Sequence, residues 1–380
     1  MSAGPTALAG ARVVTPDGVL DDGWVRIADG VLTEIGRGEP PRSALDLGGG
    51  WLVPGFVDLH CHGGGGASYS SADPEQLRRS LATHREHGTT SSLASLVSAP
   101  VAELEEQIGA LAALVDDGAL AGIHLEGPFL SSARCGAHDT SVLRAPDSAT
   151  VERLLSAGRG AVSMVTLAPE LENSLDAIRQ LDERGVIAAV GHTDGTWEQA
   201  RAAIDAGAKV ATHLFNGMRP LHHREPGAVA ALLEDERVAV ELICDLVHLH
   251  PAVAELAARR AGRDRTVLVT DAISATAAAD GEYRLGDLPV TVRGGVPRLA
   301  DGSLAGSTLT MDDAFRNLVR GCGLDVERAV AATATGPARL LGLGDRVGAV
   351  REGLAADLVV LDDQLRLRGV LERGEWVQHG

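Results

Sequence analysis

Histidines and carboxylates recur at the ends of short apolar runs in this chain. Asp58-Leu59-His60-Cys61-His62 closes the first run and His124-Leu125-Glu126-Gly127-Pro128 the third. Gly191-His192-Thr193-Asp194 follows the fifth and Thr212-His213-Leu214-Phe215-Asn216 the sixth. The seventh leads into Asp245-Leu246-Val247-His248, and the eighth ends at Thr270-Asp271-Ala272. Taken singly, each has an ordinary explanation. A histidine at a strand end serves as a hydrogen-bonded rim residue, an aspartate there caps a helix or forms a turn, and His-x-His occurs by chance. Their coincidence at five or more separate run ends is not what helix caps require, and it points to a divalent metal site. Glu126, His192 and His213 supply one carboxylate and two imidazoles, a common catalytic zinc set that leaves a position open for water. A metal there lowers the pKa of its water towards about 7. Asp271 is then placed to accept the water's proton and hand it to a leaving group. Alternation along an extended strand sends His60 and His62 to one side and Cys61 to the other.

The elements that must carry these residues alternate between β-rich apolar runs and Ala/Leu/Glu/Arg-rich helical stretches. Strands are predicted at 56–60, 89–97, 121–125, 161–167, 186–190, 209–212, 238–244 and 266–270. Helices are predicted at 75–87, 101–116, 149–157, 172–184, 196–206, 226–235 and 251–261, with a last one at 311–320. Eight strands with intervening helices match a (β/α)₈ TIM barrel better than an open doubly wound sheet, and such a barrel gathers catalytic groups at the C-terminal ends of its strands. Both chain ends read as short strands separated by turns, with Asp29-Gly30 as a hairpin signal. The expected organisation is a barrel over 55–336 and a small β-sandwich assembled from 1–54 and 337–380.

With 34 basic against 52 acidic residues the chain carries a formal charge of −18. That argues against nucleic-acid or anionic-membrane partners. No apolar stretch approaches the roughly 18 residues of a membrane span, and the first residues lack the basic start and apolar run of a signal peptide. Four cysteines without CxxC spacing read as reduced thiols, so a cytoplasmic setting is expected.

With these residues in place, the sequence resembles the N-acetylglucosamine-6-phosphate deacetylase family of the amidohydrolase superfamily. The matching segments include Pro54-Gly55-Phe56-Val57-Asp58-Leu59-His60, His124-Leu125-Glu126-Gly127-Pro128-Phe129, Gly191-His192-Thr193 and Thr212-His213-Leu214-Phe215-Asn216-Gly217-Met218. Arg224-Glu225-Pro226-Gly227, Thr270-Asp271-Ala272 and Leu304-Ala305-Gly306-Ser307-Thr308-Leu309-Thr310-Met311 continue the series in order across nearly the whole chain. The resemblance implies removal of acetate from N-acetylglucosamine 6-phosphate to give glucosamine 6-phosphate, in amino-sugar catabolism and cell-wall recycling. It implies that Glu126, His192 and His213 hold the main metal, that Asp271 is the acid/base, and that His138 steadies the acetyl oxygen as it becomes an oxyanion. It further implies a substrate pocket from Ala137, His138, Asn216, Gly217, Arg224 and His248, and a homodimer in which one subunit completes its neighbour's phosphate site. Some members carry uncharged side chains where His60 and His62 stand. The two imidazoles here favour a second metal bridged through Glu126 or the water, the alternative being that they only hydrogen-bond the site. One or two divalent ions per subunit are expected, zinc foremost, with iron, cobalt or manganese possible.

Other residues narrow the chemistry. Many dinuclear amidohydrolases bridge their metals with a carboxylated lysine at the end of strand four, but Lys209 is the only lysine and begins strand six. His222-His223-Arg224 can supply the positive patch that an acidic protein needs to take an anionic sugar, unless Arg224 merely pairs with Glu225. The run Gly63-Gly64-Gly65-Gly66 lacks the Lys-Ser/Thr of a P-loop and reads as a flexible loop over the mouth. Cys135 falls in a lid-like loop, while Cys61, Cys244 and Cys322 read as packed small hydrophobes. His84 and His87 fall on a polar helix without assigned function. Two alternatives to the deacetylase reading stand: another N-acyl deacetylase of the same superfamily, or a catalytically silent barrel acting as a regulatory partner.

Overall fold

The computed structural model describes residues 6–379. The outermost residues of the expected sandwich, 1–5 and 380, lie outside the described residues. At the centre are eight parallel strands. They are Phe56–Asp58, Thr89–Val97, Gly122–Glu126, Val162–Leu167, Ile187–Val190, Val210–Ala211, Ala239–Ile243 and Thr266–Val269, here called barrel strands one to eight. Each lies within two residues of its predicted range, and they neighbour one another in sequence order. Strands three, five and seven are buried at every position, which is why they read as largely apolar runs: a barrel strand packs side chains inward and helices outward. Strand eight meets strand one through an isolated bridge, Cys61 to Ala272, and hydrogen bonds from Asp271 N to His60 O and from His62 N to Ala272 O, each 2.8 Å.

The outer helices follow from their sequences. Val101–Asp116 buries Leu104, Ile108 and Leu111 at helical spacing. Trp197–Ala206 starts in a capping box, with the Thr196 side chain and Gln199 satisfying each other's backbone N–H groups. The helix predicted at 311–320 runs as Met311–Arg316 and continues into a wider π turn, Asn317–Gly321.

The chain ends pair as one eight-stranded sheet. Ala7–Thr15, Gly18–Ala28, Val31–Arg37, Leu45–Asp46 and Trp51–Pro54 from the first part join Leu358–Leu361, Leu367–Glu372 and Glu375–His379 from the last. The sheet curls on itself: Val31 bridges to Ala355, enclosing a core of Leu8, Val25, Leu32, Leu52, Leu358 and Leu371. Two features differ from the sequence expectation. A three-stranded antiparallel sheet, Gly281–Leu285, Leu288–Arg293 and Val296–Arg298, follows strand eight and packs Leu285, Val290 and Val292 on Ala137 and Ile273 beside the mouth. A helical stretch from Val326 to Leu340 precedes the final strands.

Candidate active site

Each strand end delivers its polar residue to the same mouth. Glu126 is the last residue of strand three, whereas His192, His213 and Asp271 stand two residues beyond strands five, six and eight. Those three adopt left-handed backbone, with φ of 47°, 29° and 50°. Non-glycine residues avoid that region, so the surrounding hydrogen bonds must hold it, and it swings each side chain off its strand direction into the mouth.

The donor atoms converge on Glu126. Its Oε1 lies 3.1 Å from His192 Nε2 and 3.0 Å from His213 Nε2, and the two nitrogens are 3.1 Å apart. The edge of a zinc tetrahedron with 2.0–2.1 Å bonds is about 3.3 Å, so this triangle has the size that one small ion requires. Glu126 Oε2 faces the other way, 3.1 Å from His62 Nε2. His60 Nε2 and His62 Nε2 are 3.1 Å apart and lie 3.5 and 3.3 Å from Asp271 Oδ1, so His60, His62, Glu126 and Asp271 form a second donor cluster sharing Glu126. Cys61 turns away, its sulfur 3.1 Å from His84 Nε2. Lys209 pairs with Asp182 at 2.6 Å, among none of these residues.

Protonation is set by what each second nitrogen meets. His192 Nδ1 lies 2.9 Å from the Arg134 carbonyl and His62 Nδ1 3.1 Å from the Ser95 carbonyl. A carbonyl accepts only, so both rings carry their proton on Nδ1 and aim an Nε2 lone pair into the mouth, as metal-ligating histidines do. These residues therefore fit a divalent metal. His138 is wired the opposite way. The Ser98 backbone N–H donates to its Nδ1 at 3.3 Å, and the Ser98 hydroxyl, 2.9 Å from the same atom, can turn its proton to the same lone pair, which places the proton of the neutral ring on Nε2, 3.2 Å from Glu126 Oε2. Burial holds the His138 pKa below the ordinary value, so the ring stays neutral and presents an N–H donor.

Asp271 is buried, which by itself raises its pKa, but its contacts with His60 and His62 outweigh burial and hold it at about 2. It is a carboxylate, able to receive a proton. Around this centre Gly217 (φ 59°) lies against the His192 ring, where a Cβ would stand 2.8 Å from Nδ1. Asn216 Nδ2 donates to the His213 carbonyl at 3.2 Å, and Ala137 is buried next to His138. Arg224 lies exposed in the loop after strand six, with Nη1 2.8 Å from His223 Nε2. His248 follows strand seven, its Nδ1 2.7 Å from Asp245 Oδ2. Neither touches the donor clusters directly.

One sequence expectation is corrected. Gly63–Gly66 is not a flexible loop. Gly63 and Gly64 pair with Ala67–Ser68, Gly65 N and Gly66 N donate to Thr276 O and Ser274 O, and a Cβ on Gly63 would meet the Ala67 carbonyl at 2.3 Å. The glycines are there because the hairpin is tight. His84, on the helix read as polar and given no function, is buried and lies 2.8 Å from the Gly63 carbonyl, tying that hairpin to its helix. Reasoning from spacing also passed over Glu241, His124 and Ser98, all buried at the mouth. A signal existed for Glu241, the one charge within the apolar run Ala239–Ile243.

Residues 51–377 match the Amidohydrolase family. The chain is 38% identical to the N-acetylgalactosamine-6-phosphate deacetylase of Escherichia coli O157:H7 over 97% of its length and 98% of that protein. It is 34% identical to the N-acetylglucosamine-6-phosphate deacetylase of Bacillus subtilis, over 95% and 94%. The crystal structure of N-acetyl-D-glucosamine-6-phosphate deacetylase from Mycobacterium smegmatis superposes with a TM-score of 0.95 at 47% identity, covering 98% of this chain and all of that one. With its barrel, its convergent histidines and acids and these relatives, the chain belongs to the amidohydrolase family.

Proposed function

We propose that this protein is an N-acetylglucosamine-6-phosphate deacetylase that hydrolyses the acetamide to glucosamine 6-phosphate and acetate. The observation that carries the reading is the opposition of functions around Glu126: ring lone pairs from His192 and His62, one ring N–H from His138, and the ionised carboxylate of Asp271, all within one buried mouth. Full-length likeness to deacetylases of N-acetylhexosamine 6-phosphates supports the substrate class.

Glu126, His192 and His213 would hold one divalent metal, and His60, His62 and Asp271 with Glu126 a second. Such an ion, when bound, polarises the amide carbonyl and makes water nucleophilic near neutral pH. The chain's own groups do the rest. Asp271 takes the proton of the attacking water and returns it to the departing sugar nitrogen. His138 Nε2–H donates to the carbonyl oxygen as negative charge builds there, a donor preorganised by Ser98. Arg224 and His248, with the backbone at Asn216–Gly217, bind the phosphate; Asp245 orients His248 from behind. The donor set accepts zinc, and iron, cobalt or manganese as supply dictates.

A homodimer with a shared phosphate pocket accords with where apolar side chains are exposed. Leu221 (54%) is in the loop carrying Arg224, Val247 adjoins His248, and Leu256 (61%) is on the following helix. Exposed large apolar side chains on the segments that carry Arg224 and His248 suit an interface. No helix among the described residues is long and apolar enough to cross a membrane. With all four cysteines as free thiols, we place the enzyme in the cytoplasm.

A second reading changes only the sugar: the E. coli relative is named for N-acetylgalactosamine 6-phosphate. Acetate release from both 6-phosphates, before and after chelation, tests the proposal. Chelator-sensitive release from the glucosamine derivative is expected; faster release from the galactosamine derivative selects the second reading, and release from neither overturns both.

A further inference from the structure

The floor of the mouth is polar where barrel interiors are mostly branched and apolar. Ser95 Oγ lies 2.9 Å from His124 Nδ1, His124 Nε2 2.8 Å from Thr166 Oγ1, and Thr166 Oγ1 2.9 Å from Thr212 Oγ1, a chain running through strands two, three and four to the residue that follows strand six. On the other side of the barrel Thr270 Oγ1 donates to Asp58 Oδ2 at 2.6 Å. Between these groups stands Glu241, at the centre of strand seven and without exposed surface. Its Oε2 accepts the His213 backbone N–H at 3.2 Å and lies 3.5 Å from His60 Nδ1. Its Oε1 and the His60 Nδ1 have no hydrogen-bond partner among the described residues. A buried carboxylate left half satisfied is costly, and an apolar side chain of similar volume would pack there without that cost. His62 and His192 set their Nδ1 atoms on backbone carbonyls; His60 faces a carboxylate instead.

We propose that Glu241 is a positioning residue for the metal centre. Its Oε2, 3.5 Å away, is placed to receive the Nδ1–H of His60, which leaves that ring's Nε2 lone pair aimed at Glu126 and Asp271. Through the His213 N–H it also steadies the left-handed backbone that turns His213 into the mouth. The inference deepens the two-position metal reading, and rests on it for His60 alone.

The test is a Zn²⁺ titration of chelated, metal-free protein against a chromophoric competitor, for wild type, Glu241→Gln and Thr166→Val. Thr166 belongs to the same polar floor but hydrogen-bonds no metal ligand, so it reports general loosening. Outer partners of this kind change metal affinity by roughly 10–100-fold. Glu241→Gln is therefore expected to bind more weakly by that factor, most for the second equivalent, with Thr166→Val close to wild type. Glu241→Asp, which keeps the charge but withdraws it by one methylene, carries the same expectation if the amide variant does not fold. Wild type taking up a single equivalent overturns the second metal position; Glu241 is then judged on that equivalent, whose ligand His213 it also holds. Unchanged affinity for every equivalent bound, or an equal loss in Thr166→Val, overturns the role of Glu241.

Discussion

His138 offers the sharpest test of how the mouth divides labour. Its Nε2 stands 3.2 Å from Glu126 Oε2, close enough to be mistaken for a ligand, and its donor atom groups with those of Glu126 and His192. The Ser98 N–H on Nδ1 decides otherwise, because a ring that accepts at Nδ1 donates at Nε2. Removing one preorganised oxyanion donor costs about 10²–10³-fold in kcat, or about 2.7–4 kcal/mol. His138→Ala is therefore expected to lose that much in kcat with little change in KM and full metal content. His138→Gln places an amide N–H near the lost Nε2–H and should recover part of the loss, whereas His138→Asn, whose amide reaches only towards the Nδ1 position, should not. Because burial keeps the ring neutral, the pH profile of kcat should carry no break from His138 near its ordinary pKa. The assay is steady-state acetate release on protein whose metal content has been measured. If His138→Ala loses metal and regains full kcat at excess Zn²⁺, His138 is a ligand and the tautomer assignment is wrong.

Asp271→Asn preserves the shape and the contacts near His60 and His62 but cannot take a proton; turnover should fall by on the order of 10²-fold or more with substrate binding retained, and wild-type turnover would remove Asp271 from the mechanism. Arg224→Ala should raise KM for 6-phosphorylated substrates while leaving the unphosphorylated sugar unaffected; an equal effect on both would place Arg224 outside the phosphate site. Asp357 lies far from the mouth, buried under the terminal sheet, where burial outweighs the Arg373 N–H bond and lifts its pKa from 3.8 to about 6. The folded state then holds this proton more tightly than the unfolded chain, so stability is greatest below about pH 4 and is lost as pH rises through 6. A shift of about two units corresponds to at most about 3 kcal/mol. Asp357→Asn keeps the acceptor for Arg373 N and should raise Tm at pH 8 by more than at pH 4.5; a Tm unchanged at pH 8 would refute the buried-charge cost.

The barrel was legible because its strands are buried on both faces and so read as apolar runs, unbroken in Ile187–Val190, between Ala/Leu/Glu/Arg-rich helical stretches. The His60/His62 pairing followed from strand alternation alone. What stayed hidden depends on partners distant in sequence. The tautomer of His138 is set by the Ser98 backbone, and Glu241 acquires meaning only beside His60 and His213. The Gly63–Gly66 run was misjudged because glycine permits both freedom and close approach, and only the Ala67 carbonyl and the His84 ring show which one operates. The sheet at Gly281–Arg298 escaped notice because its inward side chains pack on a small separate cluster, giving short and weakly alternating strands. The final helical stretch is masked by Gly336-Pro337, which reads as a break although proline is tolerated at the start of a helical turn.

The central claim is that Glu126, His192 and His213 share one ion. Anomalous diffraction at the zinc edge from metal-loaded crystals measures this directly. A peak about 2.0–2.2 Å from Glu126 Oε1 and from the Nε2 atoms of His192 and His213 is expected. A loaded, active protein whose only peaks lie away from those three residues would contradict it.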